Sequence, residues 1–120
     1  MELSMIKRGL EEIPALKSRI AQEAEDLRLK YEQKKEETSR QVTKMLLSYK
    51  VMFPDYKQNE IKAKLEDDND LHQARLDLIM SESEWKRKEI RLQELDDKFT
   101  GIKVLARLSI QELATLNQGD

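Results

Sequence analysis

A regular spacing of apolar residues in the C-terminal half of the chain is the feature that most constrains its fold. Between residues 71 and 116, fourteen positions follow one another at alternating steps of three and four, and eleven of them are apolar. Such steps place every position on one side of an α-helix, as in a coiled coil. The positions are Leu71, Ala74, Leu78, Ser81, Trp85, Lys88, Leu92, Leu95, Phe99, Ile102, Ala106, Ser109, Leu113 and Leu116. This apolar side needs a partner helix, and the spacing leaves open whether the partner belongs to the same chain.

The N-terminal half carries a second apolar face with helical spacing. Its members are Ile13, Leu16, Ile20, Ala24, Leu27 and Tyr31, and after a polar stretch the pattern resumes at Val42, Met45, Leu46, Tyr49 and Met52. Gly9 and Pro14 interrupt the pattern near its start, which predicts a short first helix followed by a longer one. Pro54 disfavours helix at the residue before it, which predicts a helical corner there.

The composition supports an all-helical fold. Charged residues make up 38% of the 120 residues and aromatic residues only 5%, a balance typical of long solvated helices. We therefore predict an all-α fold, an elongated helical hairpin or bundle with coiled-coil-like heptads that assembles into a homo-oligomer. It is one domain over residues 1–120, with an N-terminal part at 1–53 and a C-terminal part at 55–120. Asp55 with Gln58 and Asp70 with Gln73 are the predicted capping pairs.

Residue types that usually carry catalysis are missing or isolated. The chain has no cysteine, and its one histidine, His72, cannot form a metal triad or a nucleophile–base pair within one chain. Its three glycines are too far apart to form a phosphate-binding loop. We therefore expect no enzymatic activity, no metal and no cofactor. No apolar run is long enough to span a bilayer, which predicts a cytoplasmic protein without a membrane partner.

Positive charge is concentrated in one segment. Residues 28–57 contain eight basic and four acidic residues, a net charge of +4 in a chain whose total is −2. A basic stripe with Tyr31, Tyr49 and Tyr56 nearby is suited to single-stranded nucleic acid, whose phosphates attract cations and whose bases stack on aromatic rings. A solvated helix with ion pairs four residues apart gives the same charge pattern. Charge alone leaves both interpretations open.

The residues from Tyr56 onward resemble a known family. The pattern is Tyr56-x-x-x-Glu60-Ile61-Lys62-x-x-Leu65-x-x-Asp68-x-Asp70, with Ile102-Lys103 just beyond Phe99 and Gly101. Over roughly residues 56–112 the chain is similar to the UvsY family of recombination mediators of T-even-type phages. The resemblance implies a homo-oligomer, expected as a ring, that binds single-stranded DNA. It also implies that this oligomer helps a phage recombinase replace the single-strand-binding protein, in the cytoplasm of the host.

The resemblance also directs attention to particular DNA-binding residues. The family's DNA-contacting segment has the pattern Lys-x-Arg-Leu-x-Tyr, and the nearest match here runs from Lys44 to Tyr49, with Leu46 in the place of the arginine. Lys34 and Lys35 resemble a basic element upstream, and Arg40 could supply the missing charge. The candidate DNA-binding residues are therefore Lys34, Lys35, Arg40, Lys44 and Tyr49.

The C-terminal heptads would then serve self-association, which gathers weak DNA-binding stripes into a multivalent surface. The candidate oligomerisation residues are Leu78, Trp85, Leu92, Leu95, Phe99, Ile102 and Leu113. The alternative function is a structural or adaptor coiled coil that binds other proteins and not DNA. Heptad periodicity by itself favours this alternative.

Overall fold

The computed structural model describes residues 3–118, and all of its regular secondary structure is α-helical. Helix α1 runs over Leu3–Met52, helix α2 over Gln58–Glu66 and helix α3 over Asn69–Gln118. No strand occurs among the described residues. The all-α prediction is confirmed, and the predicted corner at Pro54 lies where α1 has ended.

Helix α1 is continuous, so the predicted division into a short and a longer N-terminal helix is wrong. Pro14 lies inside the helix. Since proline lacks an N–H, it removes the hydrogen bond to the carbonyl of Leu10 four residues earlier. Ile6 and Ile13 before the proline and Ile20 after it are all buried. Packing on both sides of Pro14 therefore maintains the helix across the missing bond. Gly101 likewise lies within α3 and does not end it.

The chain divides into two compact units, and the first joins the α1 segment up to Ala24 with the α3 segment from Arg87 onward. Its core contains Ile6, Ile13 and Ile102, against which Leu10, Phe99 and Ala106 pack. Lys17 pairs with Asp96, and Lys88 Nζ donates to Glu23 Oε2 over 2.8 Å. Glu23 comes after Lys17 in α1, but its partner Lys88 comes before Asp96 in α3. The two segments are therefore antiparallel.

A glycine brings the two helices of this first unit close together. A Cβ atom at Gly9 would lie 2.6 Å from Cδ1 of Ile102, which is closer than carbon atoms approach without displacement. Gly9 therefore allows Ile102 to pack directly against the α1 backbone. Gly101 has nothing within 4 Å of the equivalent position, so its lack of a side chain serves no close contact.

The second unit, Glu25–Lys86, contains the rest of α1, all of α2 and the start of α3. Ile61 and Leu65 of α2 are buried, and Leu71 of α3 is 0% exposed. The backbone N–H of Leu71 donates to Asp68 Oδ1 over 2.8 Å, so Asp68 caps the N-terminus of α3.

The predicted helix caps are both wrong. Asp70 lies inside α3, one residue after its first residue, and the residue in the N-cap position is Asp68. Helix α2 begins at Gln58 with Lys57 as its N-cap, and no side chain caps it. The acidic run at residues 66–70 contains several residues able to cap, and sequence spacing could not tell which one would precede the first helical turn.

Burial along α3 follows the spacing seen in the sequence. From Leu71 to Ser109, every position of the three-and-four series is buried or half-buried, in one unit or the other. The series is exposed only at Leu113 and Leu116, at 50% and 70%. Coiled-coil geometry between copies of the chain stays a prediction, because the burial described here arises within one chain.

We predict that Leu71→Ala lowers the free energy of unfolding by about 2–5 kcal/mol, since it leaves a cavity in a fully buried site. Leu76→Ala is the matched control, because Leu76 lies on the same helix and is 41% exposed. Urea denaturation followed by circular dichroism measures both variants. Equal losses of stability for the two variants would contradict the assignment of Leu71 to the core.

Candidate nucleic-acid interface

The five candidate DNA-binding residues all lie on the α1 segment of the second unit, but Lys34 is partly withdrawn from solvent. Lys34 and Thr38 are half-buried, and the Thr38 hydroxyl donates to the Lys34 carbonyl over 2.8 Å. Lys34 and Gln41 continue the seven-residue spacing of Ile13, Ile20 and Leu27 along the less exposed side of α1. Lys34 therefore lies on the partly covered side of α1, unlike Lys35, Arg40 and Lys44, which are exposed.

Lys35 belongs to a cluster that joins α1 to α3 within the second unit. The rings of Tyr31 and Trp85 stack with centroids 5.6 Å apart, and Lys35 Nζ lies 6.0 Å from the Tyr31 centroid. Glu82 of α3 pairs with Lys86 at 2.6 Å. The pKa of Glu82 is lowered, mainly by the Lys86 hydrogen bond, and Tyr31 and Lys35 add smaller contributions in the same direction. Lys35 is exposed, but its charge is partly offset by this carboxylate.

Arg40 and Lys44 form the clearest exposed basic pair. Both are exposed, and their spacing of four residues places them one above the other on the same side of α1. Arg40 pairs with Glu36 at 2.6 Å, whereas Lys44 makes no ion pair with any described residue. A phosphate would thus meet one unpaired ammonium group and one guanidinium group with further donors available.

The candidate residues do not share one side of the helix. Lys44 follows Lys35 by nine residues, which at about 100° per residue is roughly two and a half turns, so these two side chains leave α1 in opposite directions. A single DNA strand along α1 would contact Arg40 and Lys44 or Lys35, but not all three. Sequence reasoning grouped them because they are close in the chain.

Tyr49 contributes to an aromatic group at the end of α1. Its ring centroid is 6.3 Å from that of Phe53, and Phe53 in turn stacks on Tyr56 at 4.6 Å. Tyr49 is half-buried. It therefore supports the Phe53 ring, and Tyr56, absent from the candidate set, is the more exposed member of the group.

Most candidate oligomerisation residues are covered by other parts of the same chain. Leu95 and Ile102 are buried, and Phe99 packs against the core of the first unit. Trp85 stacks on Tyr31 in the second unit. Leu78 and Leu92 are half-buried, and Leu113 is exposed. Of the candidate set, Leu113 has the most surface left for contact with another copy.

Heptad counting found only Leu113 and Leu116 of the exposed apolar residues near the C-terminus of α3 and missed the others. Several large apolar side chains are exposed there, within the first unit, and Leu3 and Met5 of α1 are exposed in that unit too. The exposed set on α3 comprises Val104, Leu105, Leu108, Ile110, Leu113 and Leu116. An available signal was their density, since six of thirteen consecutive residues from Val104 are large and apolar.

Comparisons of the chain with protein-family models, with curated proteins and with solved structures gave no match. Among residues 3–118, no helix combines the length and apolar character needed to cross a membrane. The described residues also contain no group of three or more acidic or histidine side chains placed to hold a metal ion.

We predict that Lys86→Gln raises the pKa of Glu82 toward its ordinary value, because the hydrogen bond from Lys86 is the main cause of the lowered pKa. Lys35→Gln should raise this pKa less, since Lys35 is its smallest named cause. NMR titration of the Glu82 carboxyl carbon measures this pKa in both variants.

The sign of the accompanying stability change follows from linkage. A lowered folded-state pKa stabilises the protein at pH values above the unfolded pKa, and the benefit disappears as the pH falls through the folded pKa. If Lys35→Gln raised the pKa of Glu82 more than Lys86→Gln did, the described arrangement of this cluster would be contradicted.

Proposed function

We propose that this protein is a recombination mediator that binds single-stranded DNA as a homo-oligomer and helps a recombinase replace the single-strand-binding protein. The observation that carries the proposal is the basic segment at residues 28–57, whose Arg40 and Lys44 are exposed together on one side of α1. Cations held at fixed spacing on a helix suit a phosphate backbone.

The resemblance to the UvsY family supports the proposal through the structural roles of the residues that carry it. Ile61 and Leu65 are buried, and Asp68 caps α3. These pattern residues build the corner formed by α2 and the start of α3. A shared pattern at such positions is what a shared fold would produce.

Each chain offers few sites for phosphate, so the proposal requires several copies. Lys30 lies fourteen residues before Lys44 and so falls on nearly the same side of α1, but Glu37 lies between them on that side. Arg40 is partly neutralised by Glu36. Weak sites that are linked in an oligomer bind one strand with much greater combined affinity.

The exposed apolar residues at the C-terminal end of α3 support self-association. Leu113 and Leu116 continue the three-and-four spacing of the buried positions, yet they are exposed in the single chain. Contiguous exposed apolar surface typically marks an interaction site. We place the interface between copies here, because the earlier positions of the series are already covered within the chain.

The mediator activity would follow from differential binding. An oligomer can favour the recombinase over the single-strand-binding protein only if it binds more tightly to the strand conformation that the recombinase uses. Arg40 and Lys44 would contact the phosphates of the strand and not its bases. Binding should therefore depend strongly on salt and little on base sequence.

The second candidate function is a protein-binding adaptor. Leu76, Ile79 and Met80 are exposed together on α3, at spacings of three and four residues that place them on one side of the helix. This patch lies in the second unit and is suited to an apolar partner. An adaptor would keep its binding activity without any contribution from Arg40 or Lys44.

We expect the double charge reversal Arg40→Glu/Lys44→Glu to weaken single-stranded DNA binding at least about tenfold at low salt, because it replaces attraction to phosphates by repulsion. It should also make the slope of log affinity against log salt shallower, by about 0.7 for each phosphate that the variant no longer neutralises. Fluorescence anisotropy with a labelled oligonucleotide across a salt series measures both quantities.

The matched control is Arg87→Glu/Lys98→Glu, which makes the same change in charge at two exposed sites on α3 that lie outside the proposed interface between copies. It should bind within about threefold of the wild-type protein, since only general repulsion is added. Equal weakening by both double variants, or no DNA binding by the wild type, would contradict the proposed role of α1.

We also expect Leu113→Gln/Leu116→Gln to lower the oligomeric mass measured by light scattering, because it makes the unpartnered apolar side of α3 polar. Leu47→Gln/Val51→Gln is the control, since both residues are exposed apolar residues of α1. An unchanged mass in the α3 variant, with normal helicity, would place the interface between copies elsewhere.

A further inference from the structure

A tight turn after α1 holds two aromatic rings in a stack. The backbone N–H of Tyr56 donates to the carbonyl of Phe53 over 3.1 Å, which closes a four-residue turn with Pro54 and Asp55 in the middle. Proline is favoured at this second position because its φ angle is already fixed near the value that the turn needs. The turn places the Tyr56 ring 4.6 Å from the Phe53 ring, with an angle of 18° between their planes.

The stack is supported from within the second unit, so its outer ring is held in place. Phe53 also contacts the ring of Tyr49, and Lys64 Nζ of α2 lies 5.2 Å from the Phe53 centroid. Phe53 is therefore fixed by neighbours on α1, α2 and the turn. Tyr56 rests on this fixed ring, so ligand binding needs to restrict its conformational freedom only a little further.

Tyr56 is the one aromatic residue of the chain that is exposed rather than half-buried, at 36%. All six aromatic residues lie within the described part of the chain, and the other five are half-buried. The basic segment also contains Tyr31 and Tyr49, and Tyr31 is stacked on Trp85. Only Tyr56 combines an exposed ring with a supporting ring behind it.

Lysine residues lie close to Tyr56 in the chain. Lys57 follows it directly, and Lys62 and Lys64 are exposed on the short helix that comes next. Asp55 precedes Tyr56, and Glu60 and Glu66 balance the two lysines of α2, so Lys57 is the cation next to Tyr56 in the chain. Lys57 makes no ion pair with any described residue. Cations beside an exposed flat ring are the combination that binds a nucleotide through its base and its phosphate together.

We infer that Tyr56 is a base-stacking residue for single-stranded DNA, with Phe53 as the ring that supports it and Lys57 as the nearest group for a phosphate. The inference rests on the proposed function and adds base stacking to a site otherwise built to bind phosphates. Unpaired bases can stack on the ring, whereas bases in a duplex are stacked on each other. The ring therefore gives a preference for single strands that Arg40 and Lys44 cannot give.

The test compares two labelled oligonucleotides of equal length, one of thymidine nucleotides and one with abasic sites in place of the bases. Both carry the same phosphate charge, so only the first can stack. Tyr56→Ala should weaken binding of the thymidine strand about tenfold and leave binding of the abasic strand unchanged. Tyr56→Phe should bind both strands like the wild type, because it keeps the ring and removes only the hydroxyl group.

Helicity and oligomeric mass are measured on every variant, so that misfolding is separated from removal of the ring. Tyr56→Ala with wild-type affinity for both strands would overturn the inference and leave the proposed function intact. Equal weakening on both strands would overturn it as well, because it would assign Tyr56 a structural role. Wild-type protein that binds neither strand would contradict the proposed function itself, a result that is distinct from the other two.

Discussion

The structure depends on the packing of α1 against α3 within each unit. Both helices contain 50 residues and are rich in charged side chains. Since long solvated helices receive little stability from intrinsic propensity, the burial of one apolar side must supply most of it. Ile6, Ile13 and Ile102 do so in the first unit, and Leu71 with the buried side chains of α2 does so in the second. The continuity of α1 through Pro14 follows from this packing.

The same packing limits what remains for function. Positions in the three-and-four series of α3 are covered within the chain as far as Ser109. Surface for the proposed contacts with DNA or with another copy must therefore lie elsewhere: on the exposed side of α1, at the turn after it, and at the C-terminal end of α3. The basic pair Arg40 and Lys44, the ring of Tyr56 and the exposed leucines of α3 occupy these places. Stability and the proposed binding thus use different residues of the same helices.

The proposed binding mode divides the work among these surfaces. Phosphate binding by Arg40 and Lys44 would give affinity that depends on salt, and a base stacked on Tyr56 would give the preference for unpaired strands. Self-association through the end of α3 would repeat the phosphate-binding and base-stacking sites along one strand. A strand held at many weak sites can be released from one site at a time, which suits the proposed transfer of the strand to a recombinase.

The sequence by itself determined the fold class and the buried side of α3. Steps of three and four residues predict which side chains share a helical face, and Leu71, Leu95 and Ile102 are buried as that periodicity requires. Periodicity is a local property, so it needs no knowledge of the partner. It could not show that the partner is α1 of the same chain, nor that Gly9 allows Ile102 to approach its backbone.

Tertiary structure decided the rest of the candidate site. Helical periodicity by itself separates Lys44 from Lys35, but only packing over α1 makes Lys34 half-buried while Lys35, Arg40 and Lys44 stay exposed. Tyr49 and Tyr56 have the same side-chain chemistry, and only the turn at Pro54 makes one a support and the other an exposed ring. Exposure depends on what packs over a residue, and this is set by residues distant in the chain.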